Sequence, residues 1–182
     1  MRNIFILLFL LIFISCNSDI LPKPKAYLSL EYPKKEYSYL TLERPYSFEV
    51  LKSTKIIDDE NNWLKIEYPN LKASIDITYR PVKNNLKELL TESEKLVFKH
   101  AVKAEQIIPK DFVNPKKRVF GSLYEITGNA ASQIQFHVTD STNNFIKGSL
   151  YFYVKPNYDS ILPAVAYVKE DILHLIETLE WK

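Results

Sequence analysis

Apolar and polar residues alternate with changing periods along this chain, and each period predicts an element. Residues 4–14 are apolar without a break. Further on, Tyr27, Leu28, Leu30 and Tyr32 suit an edge strand that Pro33 ends. Tyr46 to Leu51 is a short mixed strand. Trp63 to Tyr68 alternates, and Pro69-Asn70 turns it back. Ala73, Ile75, Ile77 and Tyr79 then point one way, and Ser74, Asp76, Thr78 and Arg80 the other. That period of two predicts a sheet with one wet or lightly covered face. The period lengthens at Leu86, Leu89, Leu90, Leu96, Val97, Ala101 and Ala104, which predicts an amphipathic helix over 85–105 with Asn85 and Glu88 as a capping box. Pro109 and Pro115 place a loop after it.

Three more strands are predicted at 118–128, 131–139 and 147–155. In the last, Leu150, Phe152 and Val154 share one face, and Tyr151 and Tyr153 the other. Gly128-Asn129 and Thr142-Asn143-Asn144 form the turns between them. The tetrapeptide Gly-Ser-Leu-Tyr occurs at 121–124 and again at 148–151, as two similar strand starts. A closing helix has Ser160 as its cap and Pro163 in its first turn. Val165, Val168, Ile172, Leu175, Ile176 and Leu179 form its apolar stripe, and Trp181 sits at its end. This order predicts an α+β fold, an antiparallel sheet packed with two main helices.

The N-terminal run follows a different logic. Arg2 precedes it, and Ser15 and Cys16 follow it. Charged, apolar and small residues in that order make an export signal, and the run is shorter than the about 20 residues that span a bilayer. A lone cysteine directly after a small residue reads as a bacterial lipoprotein cleavage site. Cys16 then becomes the lipidated first residue, carrying palmitate or a similar acyl chain. The competing reading is a secretory signal with an incidental cysteine. The predicted organisation is a signal peptide at 1–15, a lipidated N-terminus and linker at 16–25, and one α+β domain at 26–182, the usual size of a single domain.

Composition narrows the function classes. With Cys16 lipidated, no other thiol is present for a disulfide, a nucleophile or a zinc ligand. Loss of Arg2 with the signal lowers the formal charge from +2 to +1, which lacks the basic footprint of a nucleic-acid binder. The 3 glycines are too few for phosphate-cradling loops, whereas 12 Tyr and 10 Phe suit sheets and interfaces. His100, His137 and His174 are far apart, and none stands at ligand spacing from another metal donor. His100 and His174 border apolar stripes and read as core or boundary histidines. His137 faces opposite Phe136 on its strand. Asp140-Ser141 and Asp159-Ser160 read as Asx turns or helix caps. Asp58-Asp59-Glu60 reads as a solvated hairpin tip rather than a calcium site. No catalytic residue, cofactor or metal is expected.

Two polar connections stand out: residues 128–133, Gly-Asn-Ala-Ala-Ser-Gln, and residues 155–160, Lys-Pro-Asn-Tyr-Asp-Ser. Loops of this kind carry recognition on a rigid scaffold, and turn and cap chemistry is the competing reading. The candidate interaction residues are Asn129, Ser132, Gln133, Asn157, Tyr158 and Asp159.

A further set of segments carries a resemblance. PKPKAYLSLEYP at 22–33, RPYSFEV at 44–50, TYRPVKNNL at 78–86, GNAASQ at 128–133, TDSTN at 139–143, GSLYFYVKPNYDSILPA at 148–164 and HLIETLEWK at 174–182 resemble GldD, the gliding motility lipoprotein family of Bacteroidota. That family's pattern carries cysteines near the positions of Pro45 and Trp63. This chain has none there, so no disulfide is implied. The resemblance implies a membrane-anchored accessory of the gliding machinery, linked to type IX protein secretion, and carries over no established enzymatic activity. The only residue role it transfers is lipidation at Cys16. The order of elements is also similar to the PsbP-like fold, an analogy of topology that does not supply function.

Two functions of different class are therefore expected. The first is a tethered assembly lipoprotein that touches other gliding and secretion proteins and holds to the membrane through its lipid. The second is a periplasmic glycan- or small-ligand-binding module, or a cryptic hydrolase. A cleft beside exposed Trp63 or Trp181, or His137 converging with a carboxylate, would mark the second. Surface export of lipoproteins of the resembled group looks tied to acidic residues just after the cysteine, and here only Asp19 is present, so the expectation is the cell envelope, on the periplasm-facing side.

Overall fold

The computed structural model describes residues 32–182 apart from 101–102 and 155–156. The predicted signal peptide, Cys16, the linker and the edge strand begun at Tyr27 lie outside the described residues. Tyr32, at their border, carries no regular structure. The elements, in chain order, are β1 (Tyr37–Tyr39), β2 (Tyr46–Ser47), β3 (Glu49–Leu51), β4 (Lys55–Asp58), β5 (Leu64–Tyr68) and β6 (Ala73–Pro81). They continue with α1 (Leu86–His100), β7 (Ala104–Asn114), β8 (Val119–Gly128), β9 (Ile134–Thr139), β10 (Asn144–Phe152), α2 (Tyr158–Thr178) and β11 (Glu180–Trp181). Seven strands form one sheet in the order β4-β5-β6-β10-β9-β8-β7, antiparallel throughout. Two small ladders, β1 with β3 and β11 with β2, complete the strands. The α+β class with two helices and an antiparallel sheet is as predicted.

The period of two on β6 sorts the sheet into an apolar and a polar face. Ile75, Ile77, Ile134, Phe136, Ile146 and Leu150 are almost fully buried, together with Tyr46 and Phe48. The predicted stripe of α2 closes over them: Val168, Ile172, Leu175 and Ile176 are buried in the same core. The opposite face carries a row that crosses five strands in register, Thr78, Lys147, His137, Ser122 and Asp111. Helix α1 covers only part of this face, through Leu89 and through Val97, which packs with Ile126 and Ala130.

Buried charges fix the chain segment that precedes the sheet. Asp171 on α2 accepts from Tyr37 Oη at 2.7 Å and Tyr68 Oη at 3.0 Å, and Lys35 Nζ lies 2.8 Å away. A buried carboxylate with three partners offsets its desolvation, which an isolated one does not. Arg44, also buried, donates to Trp63 O at 2.7 Å, to Tyr46 Oη at 3.1 Å and to Asp58.

Several boundaries differ from the expectation. The helix predicted to residue 105 ends at His100, and Ala104 instead pairs with Gly128. The loop predicted around Pro109 is the edge strand β7. Proline is tolerated there because an edge strand leaves one row of backbone groups unpaired. The carbonyl oxygen of the Asn85 side chain accepts from Lys83 N–H at 2.8 Å rather than closing a capping box. Helix α2 starts ahead of Ser160, with Asn157 at the cap position, and Pro163 lies inside it. Ser160 Oγ donates to Asn157 O at 2.8 Å. The earlier start has a partner outside the helix, described next. The last strand pair is set by the turn at Asp140, so β10 begins at Asn144 rather than 147 and Val154 falls beyond it, exposed.

Candidate functional site

The two polar connections, separate in the sequence, form one seam. Asn129 Oδ1 accepts the Tyr158 N–H at 3.0 Å. It satisfies an N–H of the first helical turn that has no partner within the helix. Gly128 makes this possible: its φ is +88°, and a Cβ there would stand 2.9 Å from Glu105 N. Only glycine suits that combination of positive φ and close backbone.

The six candidate residues divide at this seam. Ser132 and Gln133 are buried and committed to their own loop, Ser132 Oγ donating to Ile134 O at 3.0 Å and Gln133 Nε2 to Ala130 O at 2.9 Å. Their side chains shape the turn and offer little to a partner. Asn129, Asn157 and Asp159 are exposed, and Tyr158 is half-buried. Beside them lies a hollow of about 100 Å³ lined by Ile126, Thr127, Gln133, Tyr158 and Leu162. The Lys169–Glu125 ion pair, 2.6 Å, stands at its margin. The arrangement is a mixed apolar and amide surface on a rigid frame.

The Asp140 turn takes the Asx form. Asp140 Oδ1 accepts from the N–H groups of Thr142, Asn143 and Asn144 at 2.8 to 2.9 Å. Burial raises its pKa, but these donors and the Asn144 amide outweigh burial and leave it below the usual carboxylate range.

The two described histidine side chains, His137 and His174, have separate partners. His174 Nε2 lies 2.6 Å from Glu49 Oε2, and its ring stacks on Tyr37 at 3.8 Å. His137 is buried beneath α1, stacked on Phe145 at 5.7 Å, with Nδ1 3.5 Å from Ser93 Oγ. It faces away from Phe136, as predicted. Among the described residues no carboxylate hydrogen-bonds to it, and no three His, Cys, Asp or Glu side chains are grouped to hold a metal. The side chain of His100 is not among those described.

Burial pushes the His137 pKa below its ordinary value, with Asp111 opposing. A base whose folded pKa is depressed takes up its proton first in the unfolded chain. Its contribution to stability is complete above about pH 6.5 and is lost as pH falls from there towards the folded pKa. Denaturation midpoints at pH 7.5 and 5.5 should therefore drop more for the wild type than for His137→Gln. Equal drops would show that His137 does not carry this dependence.

The tryptophans take different roles. Trp181 Nε1 donates to Arg118 O at 2.9 Å, and the residue pairs with Tyr46 across the small β2–β11 ladder. Trp63 is 40% exposed and stands at the mouth of a cleft of about 140 Å³ between α1 and the polar sheet face. The sequence singles out Trp63 as a cleft residue, but not Lys147, Thr78 or Ser93, which line the same cleft.

A family model described as gliding motility lipoprotein GldD matches residues 17–181. The match begins one residue after Cys16. No curated protein matches the chain. None of the described helices is long and apolar enough to cross a membrane.

Proposed function

The chain belongs to the gliding motility lipoprotein GldD family, and from that membership we propose a non-enzymatic, lipid-tethered accessory of the gliding machinery, linked to type IX protein secretion. The observation that carries the reading is the family match over 17–181, which leaves outside it the signal-like segment and the cysteine that would bear the lipid. In this reading Cys16 holds the protein to the membrane on the periplasm-facing side. The order of elements keeps its PsbP-like analogy, which adds no function.

The docking face in this reading is the seam of Asn129, Asn157, Tyr158 and Asp159 with its adjoining hollow. Amide and aromatic groups presented by fixed backbone suit protein contacts, because little side-chain entropy is lost on binding. In-cell crosslinking followed by affinity capture tests it. The wild type should bring down gliding or secretion-channel components, and Asn157→Arg with Tyr158→Ala should lose them. The Asn157 side chain makes no cap hydrogen bond, so Asn157→Arg alone should change stability by no more than about 0.5 kcal/mol. Undiminished capture by the double variant would exclude the seam as the docking face.

A further inference from the structure

Lys147 sits on β10, the central strand of the seven-stranded sheet, and its side chain enters the cleft beneath α1. It is half-buried, and burial lowers its pKa. Among the described residues its ammonium has no hydrogen bond and no ion pair. Glu92, in the same cleft, attracts it without closing an ion pair, and Arg80 repels it, so burial still outweighs what the protein returns. An apolar residue would serve the sheet at lower cost.

The charge around it is nearly answered elsewhere. Arg80 at the rim faces Glu92 at 3.7 Å, and both are about half exposed. Glu92 also acts on Lys147, so two cations share one carboxylate and the cleft keeps one positive charge in excess. Thr78 and Ser93 bring hydroxyl groups to the same space, and the exposed Trp63 ring with Phe145 supplies apolar flanks. At about 140 Å³ the cleft is smaller than the roughly 300 Å³ and more of drug-sized sites. It suits one ring rather than a chain. A single cation, a stacking face and a hydroxyl rim together describe one ligand chemistry.

We propose that the cleft lined by Lys147, Arg80, Glu92, Thr78, Ser93 and Trp63 binds a sugar ring bearing a carboxylate. The carboxylate meets Lys147, with Arg80 beside it. The ring lies against Trp63, and its hydroxyls meet Thr78, Ser93 and Glu92. This site lies on the sheet face opposite α2 and does not depend on the docking seam.

Calorimetric titration of the full chain in detergent with D-glucuronate, D-glucose and acetate tests the proposal. Glucuronate should bind saturably, at least about tenfold more tightly than either glucose or acetate, because a charge-assisted contact is worth roughly one factor of ten or more. Lys147→Met should reduce glucuronate affinity by at least about tenfold. Trp63→Ala removes the stacking face and one hydrogen bond, from Trp63 Nε1 to Tyr79 O at 3.3 Å, on a residue that is 40% exposed, and should weaken glucuronate binding while leaving acetate unchanged. It keeps the test decisive if Lys147→Met fails to fold. No saturable binding at millimolar glucuronate, equal binding of glucose or acetate, or indifference to both substitutions would overturn the proposal.

Discussion

Gly121→Ala is expected to cost more than about 4 kcal/mol, the size reserved for a severe clash in a packed interior. The added Cβ would lie 2.9 Å from His137 C and from Val138 Cα, and nearer still to the His137 carbonyl oxygen. These are backbone atoms of β9, which is bonded to β8 on one side and β10 on the other. Relief requires separating strands, not turning a side chain. Domains of this size are stable by about 5–15 kcal/mol, so the variant should be close to unfolded at ambient temperature. Gly148→Ala provides the comparison. There the Cβ meets the far end of the Phe136 ring, a side chain rather than backbone. Its expected cost is about 1–3 kcal/mol, typical of overpacking. Urea midpoints should rank wild type, Gly148→Ala, Gly121→Ala. A near-native midpoint for Gly121→Ala would mean that β8 and β9 do not approach as closely as described.

The second large effect concerns location. Replacing Cys16 with alanine inside an ordinary cleavable export signal should move the protein from the membrane to the soluble envelope fraction. A buried acyl chain contributes about 0.8 kcal/mol per CH₂, and among the described residues no helix can substitute as a membrane span. Residues 32–182 make their core without Cys16, so the thermal midpoint should not change. Gliding should fall to the level of a strain lacking the protein. A soluble, folded variant that supports normal gliding would remove tethering from the mechanism.

The faces of the sheet were legible in the alternation from Ala73 to Arg80, and the closing helix in the stripe from Val165 to Leu179, because both elements bury one side consistently. Strand β7 was not legible. It lies at the edge, its residues are mostly exposed, and Pro109-Lys110-Asp111 interrupts any apolar period. The end of α1 was misplaced for the same reason, since Ala104 fits a helical stripe and a strand equally well. The two polar loops were visible as turn chemistry. Their contact through Asn129 was not, because a hydrogen bond across 29 positions has no local signature. The repeated Gly-Ser-Leu-Tyr gained its meaning only from the register: Gly121 pairs with Val138 and Gly148 with Phe136, so the two glycines flank β9. Lys147 and Arg80 likewise share a cleft only once β6 and β10 are paired.

The described chain starts on the outer side of α2, where Tyr32 stacks on Tyr167 at 4.3 Å and Lys35 reaches Glu170 at 3.0 Å. Sixteen residue steps separate Tyr32 from Cys16, and whatever their conformation they cannot extend beyond about 55 Å. A lipid at Cys16 would confine the domain to a hemisphere of that radius, in which one molecule corresponds to an effective concentration of about 5 mM. A partner anchored at the same patch of membrane would then be occupied even if the two bind each other with a dissociation constant near a millimolar. Such a contact is too weak to survive extraction, yet it would hold for as long as both share the membrane.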